Sequence, residues 1–522
     1  MTKEIDRKQV LWADDEIDLL RPHAIFLNER GYEVTPVTNG DDAISLIQKQ
    51  GFDIVLLDEM MAGRDGLSTL SEIKNINPDI PVIMITKNEE ERLMEEALGQ
   101  RIDDYLTKPV NPSQILSACK KLLDARQILK DRMGLDYVAA SNRMREMMAT
   151  ANSFGDWTDL HVKLSEWDNE LDRYFDAGLR KMHEDLRKVC NQEFANFVEA
   201  NYGRWVQDEE DSPTLSVDVV SEYVLPAVQK GEQVFFVVVD CLRLDHWLAI
   251  SPLLSELFQV DQQYHYSILP TATPYSRNAI FSGLFPLDIA QLYPEEWQTA
   301  RDDENSKNRH EHQLLDRQLD EMDPTLKLET RYVKVLDIAE GNNLVKKVHT
   351  YRSFPLMSVV FNFLDILTHG RSESDILKEM APNESAYRSL TRSWFSHSSL
   401  FEMLRKLAET DTTIVLTTDH GCVLSGRATV AHGNRDTSTN LRYKYGKNLR
   451  CDSRHAVHVK DPEVYGLPSI GLGTNYIITK EDHYFVYPTK FNEYQRLYAN
   501  SFQHGGISME EMILPVAILK GR

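Results

Sequence analysis

The chain has 522 residues and a formal net charge of -23 at pH 7, which argues for about two to four domains and against a general nucleic-acid-coating surface. Its five cysteines are scattered without a CxxC pair, which suits a reducing cytoplasm better than a disulfide framework. The N-terminus has no signal-peptide pattern and no apolar run approaches the ~20 residues of a membrane helix, so we predict a cytoplasmic location.

Five short apolar runs alternate with amphipathic helical patterns over residues 9–124. The runs are QVLWADD, YEVTPV, FDIVLLD, PVIMIT and DYLTKP. Strands that alternate with helices predict a parallel sheet covered on both faces. Four of these strands end in residues suited to chemistry, namely Asp14 with Asp15, then Asp58, Thr86 and Lys108.

Three carboxylates at neighbouring strand ends repel one another unless a divalent cation lies among them. Mg²⁺ suits Asp14, Asp15 and Asp58 because it favours a few carboxylates together with water and phosphate oxygens. Lys108 and the Thr86 hydroxyl would hold the remaining oxygens of a phosphoryl group. The sequence therefore predicts a magnesium-dependent phosphoryl site at this edge of the sheet.

These residues, in this order and strand context, closely resemble a response-regulator receiver domain, which we place at residues 1–125. The resemblance implies a flavodoxin-like (βα)5 fold and phosphorylation of Asp58 by a sensor histidine kinase. It also implies switch roles for Thr86, Tyr105 and Lys108. One position departs from the family, because Ala62 stands in the loop MMAGRDG where proline is usual, a minor change in loop stiffness.

Helical periodicity continues from this region to residue 230. Apolar residues recur at three- and four-residue spacing, for example at Leu160, Leu164, Trp167 and Leu171. We predict a helical bundle linker over residues 126–230, with about three helices, an acidic break at QDEEDSP and one more helix. The pattern fits a dimerisation or signal-relay module and a simple spacer equally well.

The stretch Val234–Asp245, VFFVVVDCLRLD, lies near the start of the largest unit, residues 231–522. Six apolar residues run without alternation into Asp240, which is typical of a strand buried on both faces of a parallel sheet. Ligands of open α/β sheets collect at the carboxyl ends of strands. Further strand-like runs alternate with helical stretches up to residue 522, which predicts an α/β domain.

Three later stretches carry metal-ligand residues after apolar runs. FNFLDILTH contains Asp365 and His369, IVLTTDHG contains Asp419 and His420, and SFQHGG contains His504. With Asp240 these residues suffice for two zinc ions that have three protein ligands each and open positions for catalysis. PTATPYSRNAIFSG supplies Thr271 and Thr273 as candidate nucleophiles, because a metal ion lowers the pKa of a hydroxyl.

The motifs DCLRLD, PTATPYSRNAIFSG, DILTH, TDHG and HGGISMEEMILP occur in the order typical of a PglZ-type domain of the alkaline phosphatase superfamily, which residues 231–522 resemble. The resemblance implies an alkaline-phosphatase-like α/β fold with one zinc ion on Asp240, Asp419 and His420. The other zinc ion would be bound by Asp365, His369 and His504. The family's nucleophile position falls on Thr273, with Thr271 as the alternative, and Arg277 would hold a phosphate oxygen.

Other candidates have simpler interpretations. His310 and His312 fit a solvated helix face better than a metal site. Arg243 fits a salt bridge to Asp245 as well as a phosphate contact. The basic segment 441–455, LRYKYGKNLRCDSRH, fits either an oligonucleotide-binding surface or a solvated hairpin.

The whole chain thus reads as a multidomain α/β protein whose three parts resemble response regulators associated with type IX secretion. That resemblance implies a zinc-dependent phosphodiesterase acting on a nucleotide or oligonucleotide, and a homodimer formed on phosphorylation. The alternative is a metal-stabilised interaction module that binds a secretion-system membrane component or a sigma factor without essential hydrolysis. The complete set of ligand residues and the threonines favour the enzyme.

Overall fold

The computed structural model describes residues 7–77, 79–87, 102–174, 176–207, 212–297, 308–433, 440–469, 471, 473–489 and 491–522. The chain folds into two compact units, Met1–Asp136 and Tyr137–Arg522. Each unit is built around its own central sheet.

The first unit holds a five-stranded parallel sheet of order β2-β1-β3-β4-β5. The strands are β1 Lys8–Ala13, β2 Tyr32–Val37, β3 Ile54–Asp58, β4 Val82–Thr86 and β5 Asp104–Thr107. The helices are α1 Arg21–Asn28, α2 Gly40–Ile47, α3 Gly66–Ile76 and α4 Pro112–Thr150. The predicted (βα)5 receiver fold is confirmed, while the helix predicted after β4 falls on residues 88–101, outside the described residues.

Alternate side chains of the central strands pack into two apolar layers, one on each face of this sheet. Val10 and Trp12 pack on one face, whereas Leu11 and Ala13 pack on the other. This double burial explains why the strands read as continuous apolar runs. The pattern predicts that the last helix of this region continues to Gly134, and helix α4 extends further, to Thr150.

The second unit begins with long helices. They are α5 Phe154–Arg173, α6 Ala177–Val206 and the short α7 Leu225–Gln229. Ser153 and Asp156 form a reciprocal capping box that starts α5. The predicted helical linker is confirmed, but its apolar residues do not pack only against one another. Trp157 and Phe194 share one buried cluster with Tyr266 and Ala272 of the following α/β region.

A six-stranded sheet of order β7-β18-β10-β6-β9-β8 forms the centre of this unit. Its strands are β6 Val234–Val239, β7 Phe258–Tyr266, β8 Thr330–Val335, β9 Leu356–Phe361, β10 Thr413–Thr417 and β18 Ile513–Gly521. Strands β10, β6, β9 and β8 are parallel, whereas β18 is antiparallel to both neighbours. The two faces of β6 pack into two different apolar clusters, so the predicted double burial of this strand holds.

Smaller sheets and many helices surround this centre. The strands are β11 Val423–Ser425, β12 Arg427–Val430, β13 Tyr443–Lys447, β14 Ala456–Val459, β15 Thr474–Thr479, β16 His483–Val486 and β17 Ser501–Gln503. The helices are α8 Leu244–Ile250, α9 Thr273–Ser282, α10 Pro286–Leu292, α11 Glu311–Met322, α12 Ile338–Tyr351, α13 Phe363–Glu373, α14 Asp375–Met380, α15 Glu384–His397, α16 Ser399–Ala408, α17 Phe491–Tyr498 and α18 Met509–Met512. Among the helices that the structure describes, none is long and apolar enough to cross a membrane.

Candidate metal centres

The first unit gathers three carboxylates at the carboxyl ends of β1 and β3. Asp14, Asp15 and Asp58 each offer an oxygen, and these oxygens lie within 4.8 Å of one another. Lys108 joins them, with its Nζ 2.9 Å from Asp14 Oδ2 and 3.0 Å from Asp58 Oδ1. Burial raises the pKa of Asp58, although the hydrogen bond from Lys108 opposes this. A magnesium ion fits this group because it would balance carboxylates that otherwise repel one another.

Two of the three predicted switch residues, Thr86 and Tyr105, are not part of this carboxylate cluster. The Thr86 hydroxyl, at the end of β4, donates a hydrogen bond to Glu59. Tyr105 on β5 is 42% exposed. Gly66 starts α3 against the end of β3, where a Cβ would lie 2.4 Å from the backbone oxygen of Asp58. The loop before α3 therefore packs closely against Asp58, and a side chain at this position would push it away.

In the second unit, two adjacent parallel strands bring the first predicted zinc triad together. Asp240 follows β6 and Asp419 follows β10, and the register of the strands places the two acids side by side. His420 is next in the chain. All three residues are fully buried, and their ligand atoms lie within 4.8 Å of one another.

The second predicted triad comes from different elements. Asp365 and His369 stand one turn apart on α13, and His504 follows β17 in a separate two-stranded sheet. His369 Nε2 lies 3.1 Å from His504 Nε2 and 3.3 Å from Asp365 Oδ1. The His369 side chain is 49% exposed, so this triad opens to solvent.

The two triads meet face to face. The rings of His420 and His504 stack with their centroids 4.2 Å apart. His420 Nδ1 lies 3.0 Å from the backbone oxygen of Gly421, so a proton on Nδ1 leaves Nε2 as the available ligand atom. Six candidate ligands therefore converge on one place, at the carboxyl ends of the central strands.

Hydrogen bonds satisfy the buried carboxylates of this cluster only in part. Within the described residues, Asp240 Oδ1 and Asp419 Oδ2 have no hydrogen-bond partner, and Asp365 Oδ1 has only the approach of His369 Nε2 at 3.3 Å. Burial and then the charge of Asp419 raise the pKa of Asp240, and burial raises the pKa of Asp419 to about 6. Burial lowers the pKa of His420, which favours the neutral ring that binds metals. The residues fit divalent cations, which would compensate the buried carboxylates.

The two candidate threonines occupy different environments. Thr273 is the first residue of α9, is only partly buried, and has its Oγ1 2.9 Å from His420 Nε2. Thr271 is fully buried, donates to the Gly506 oxygen at 2.8 Å and accepts from the Gly505 nitrogen at 3.1 Å. The Thr273 hydroxyl thus faces the metal-ligand residues, whereas the Thr271 hydroxyl joins two segments of backbone.

Arg277 lies inside the cluster but is already engaged by carboxylates. Its Nη1 donates to Asp240 Oδ2 at 2.5 Å, and its Nε donates to Glu311 Oε1 at 2.6 Å. Asn362 also donates to Asp240, at 2.9 Å. Arg277 and Asn362 therefore orient a candidate ligand from behind, and a contact between Arg277 and substrate stays a prediction. Our sequence reasoning missed Glu311 and Asn362.

The remaining candidates take structural positions. His310, just before α11, contacts Gln313, and His312 on α11 contacts Thr330; both histidines lie outside the two triads. Arg243 forms a two-pronged pair with Asp245, with 2.8 and 2.9 Å bonds, and also contacts Glu384. These contacts match the simpler interpretation of each residue.

The basic segment 441–455 is partly folded into the interior. Arg442 is fully buried and pairs with Glu511. Lys444 is buried, and its Nζ lies 5.0 Å from the centre of the Tyr487 ring. These two cations serve the fold, so the segment offers an oligonucleotide fewer basic groups than the sequence suggests.

Three family models match successive parts of the chain. The family model of the BREX system PglZ alkaline phosphatase-like domain matches residues 219–519, more than half of the chain. The chain belongs to the PglZ family. The response regulator receiver domain matches residues 10–120, and the PorX response regulator linker domain matches residues 127–206. The chain is therefore a PorX-like response regulator with a PglZ effector domain, and the fold and family that we predicted are confirmed.

Individual relatives resemble the receiver domain. Transcriptional regulatory protein ZraR of Escherichia coli (strain K12) is 36% identical over 23% of this chain and 27% of its own length. Transcriptional regulatory protein ResD of Bacillus subtilis (strain 168) is 31% identical over 23% of this chain and 50% of its own length. The chain thus spans half or less of these relatives. The receiver domain of Francisella response regulator 1452 is 28% identical, with a TM-score of 0.22, over 23% of this chain and 99% of that one.

Proposed function

We propose that the PglZ domain of this response regulator is a two-zinc phosphodiesterase that acts on a nucleotide or oligonucleotide, with phosphorylation of Asp58 as its input. The observation that carries the proposal is the position of Thr273. Its hydroxyl lies 2.9 Å from His420, beside two Asp/His triads whose buried carboxylates are satisfied by hydrogen bonds only in part. A hydroxyl nucleophile beside two divalent-cation sites is the arrangement used for in-line phosphoryl transfer.

Zinc would be bound by Asp240, Asp419 and His420 in one site and by Asp365, His369 and His504 in the other. When bound, zinc ions would lower the pKa of a hydroxyl and stabilise the charge on the attacking and leaving oxygens.

The protein side chains provide the remaining requirements. Thr273 Oγ1 lies 2.9 Å from His420 Nε2, so the hydroxyl is directed into the cluster. Thr273 begins α9, so its own backbone nitrogen lies at the helix start, whereas Pro274 has no N–H and the nitrogens of Tyr275 and Ser276 donate to the Ala272 oxygen. Arg277 and Asn362 fix Asp240, and the buried surroundings exclude water from one side of the site. The exposed side of His369 supplies the opening for substrate.

The preference for diesters over monoesters rests on the PglZ resemblance. A diester carries one negative charge on its phosphoryl group and a second organic arm, and the open side of the second triad suits that arm. The receiver domain implies a cognate sensor histidine kinase, and the type of chain implies a cytoplasmic regulator of type IX secretion.

The test combines metal analysis with hydrolysis. Purified full-length chain should contain up to two equivalents of zinc and should hydrolyse bis-p-nitrophenyl phosphate faster than p-nitrophenyl phosphate. The double variant Asp419→Ala/His420→Ala should lose one equivalent of zinc and the activity. Bound zinc without hydrolysis of any tested diester, including short oligonucleotides, would favour the interaction module that binds a membrane component or a sigma factor.

A further inference from the structure

Helix α6 of the linker reaches the metal-site segment of the PglZ domain through a buried amide. Asn191 Nδ2 donates to both carboxylate oxygens of Glu510, at 3.2 and 2.9 Å. Asn191 Oδ1 accepts from the backbone nitrogen of Met509 at 2.8 Å. Arg187, one turn earlier, places its Nη1 3.2 Å from Glu510. Asn191 and Glu510 are 5% and 2% exposed, so water does not substitute for these bonds.

Glu510 in turn packs directly behind a candidate metal ligand. A Cβ at Gly421 would lie 1.9 Å from the Glu510 backbone oxygen, so the two backbones touch. The Gly421 nitrogen donates to the Glu511 oxygen at 3.2 Å. The Gly421 oxygen lies 3.0 Å from His420 Nδ1. A continuous chain of contacts therefore runs from Asn191 to the ring of His420.

The same segment also fixes the other triad. Glu511 Oε1 accepts from the Gly506 nitrogen at 2.9 Å, only two residues after His504. Ser508 caps the short helix α18 by accepting from the Glu511 nitrogen. Movement of the backbone at Glu510 would therefore disturb His420 and His504 together.

We infer that Asn191 is a positioning residue for the metal site, so that linker helix α6 forms part of the structure that orders both triads. The linker is then more than a spacer or a relay, because its contacts with residues 509–511 hold His420 and His504 in position to bind metal. Outer-shell partners of metal ligands commonly change metal affinity by about 10- to 100-fold when removed. The inference rests on the proposed two-zinc site but not on hydrolysis.

The test uses a substitution with a matched control and a reversal. Asn191→Asp removes the donor and sets a carboxylate against Glu510. Asn201→Asp makes the same change on the same helix, where the amide donates to the Phe197 oxygen at 2.8 Å, one turn earlier in α6. The double variant Asn191→Asp/Glu510→Gln exchanges the amide and the carboxylate and restores one donor–acceptor pair. The readouts are zinc affinity by chelator competition and amide hydrogen exchange of residues 505–512, in the full-length chain.

We expect Asn191→Asp to weaken zinc binding about 10- to 100-fold and to speed exchange at 505–512, with recovery in the double variant. Asn201→Asp should match the wild type. Unchanged zinc affinity in a folded Asn191→Asp chain, or an equal loss in Asn201→Asp, would overturn the inference. If Asn191→Asp does not fold, Asn191→Ser serves with the same two readouts. A wild type that binds zinc without hydrolysing diesters would overturn only the proposed function, whereas one that binds no zinc would overturn both.

Discussion

Two valine substitutions, two residues apart, should separate catalysis from stability. Thr273→Val and Thr271→Val each delete a hydroxyl and keep the shape of the side chain. The Thr273 hydroxyl contacts His420 in the partly open site. The Thr271 hydroxyl makes two bonds with backbone groups of Gly505 and Gly506, in a fully buried place. We therefore expect Thr273→Val to lose mainly catalytic activity and Thr271→Val to lose mainly stability.

The magnitudes follow from these contacts. In Thr271→Val one backbone N–H and one backbone carbonyl lose a buried partner, each at about 1–3 kcal/mol, so the free energy of unfolding should fall by roughly 2–6 kcal/mol. In Thr273→Val a single bond at a partly exposed place is lost, and stability should fall by about 1 kcal/mol. Loss of a covalent nucleophile, by contrast, should reduce kcat on the order of 10³-fold or more.

The assay measures diester hydrolysis, zinc content and thermal unfolding on the same preparations. Thr273→Val should keep its zinc and melt only slightly lower than the wild type, while its turnover falls sharply. Thr271→Val should melt several degrees lower yet retain most of its turnover well below that temperature. Abolished turnover in a folded, zinc-loaded Thr271→Val, together with an active Thr273→Val, would refute this assignment of the nucleophile.

Three further predictions concern phosphorylation and pH. Acetyl phosphate should add one phosphoryl mass to the wild type and none to Asp58→Ala, and equal labelling of both would show that Asp58 is not the acceptor. Beryllofluoride should shift the chain toward a dimer in light scattering, because α4 runs without interruption from Pro112 to Thr150, and an unchanged mass over a wide concentration range would count against this. Burial lowers the pKa of His161 to about 3 and of His183 to about 4, so both rings stay neutral when folded and gain a proton only on unfolding. The stability that depends on these rings is present above their usual pKa of about 6.5 and is lost as pH falls toward 4, by about 2 kcal/mol each between pH 7 and pH 5. Denaturant unfolding should show this slope, and His161→Leu should remove part of it; an identical slope in the variant would contradict the assignment.

The fold was predictable wherever burial leaves a pattern in the sequence. The runs before Asp58 and Asp240 are buried on both faces, and both became central parallel strands. A continuous apolar run indicates that a strand is buried but does not show whether it is parallel or antiparallel to its neighbours. The antiparallel setting of β18 was therefore invisible, and so was the membership of β15 in a separate three-stranded sheet.

The candidate-site residues that lie in short motifs could be predicted from the sequence more readily than those that do not. The residues around RHEHQLLD drew attention to His310 and His312, but the acid between them reaches the cluster. Glu311 shares the buried stripe of α11 with Leu314, Leu315 and others at helical spacing. A carboxylate within an apolar stripe needs a cation, which the structure supplies in Arg277, and this signal could have drawn attention to Glu311, which our sequence reasoning missed. Asn362 left no comparable sign.

Charge explains how so acidic a chain would hold an anionic substrate. Around the candidate centre, the carboxylates of Asp240, Asp365, Asp419 and Glu311 face the guanidinium of Arg277, and the Lys334 ammonium lies 3.7 Å from Glu311 Oε2. Burial keeps His420 neutral, so this inner group carries an excess of two negative charges when its acids are ionised and Lys334 is protonated. Two zinc ions would reverse that excess to two net positive charges. In the proposed enzyme, attraction for the phosphodiester would therefore come from the metals themselves, since Arg442 and Lys444 serve the fold. A metal-stripped chain should then repel the substrate that the loaded chain binds.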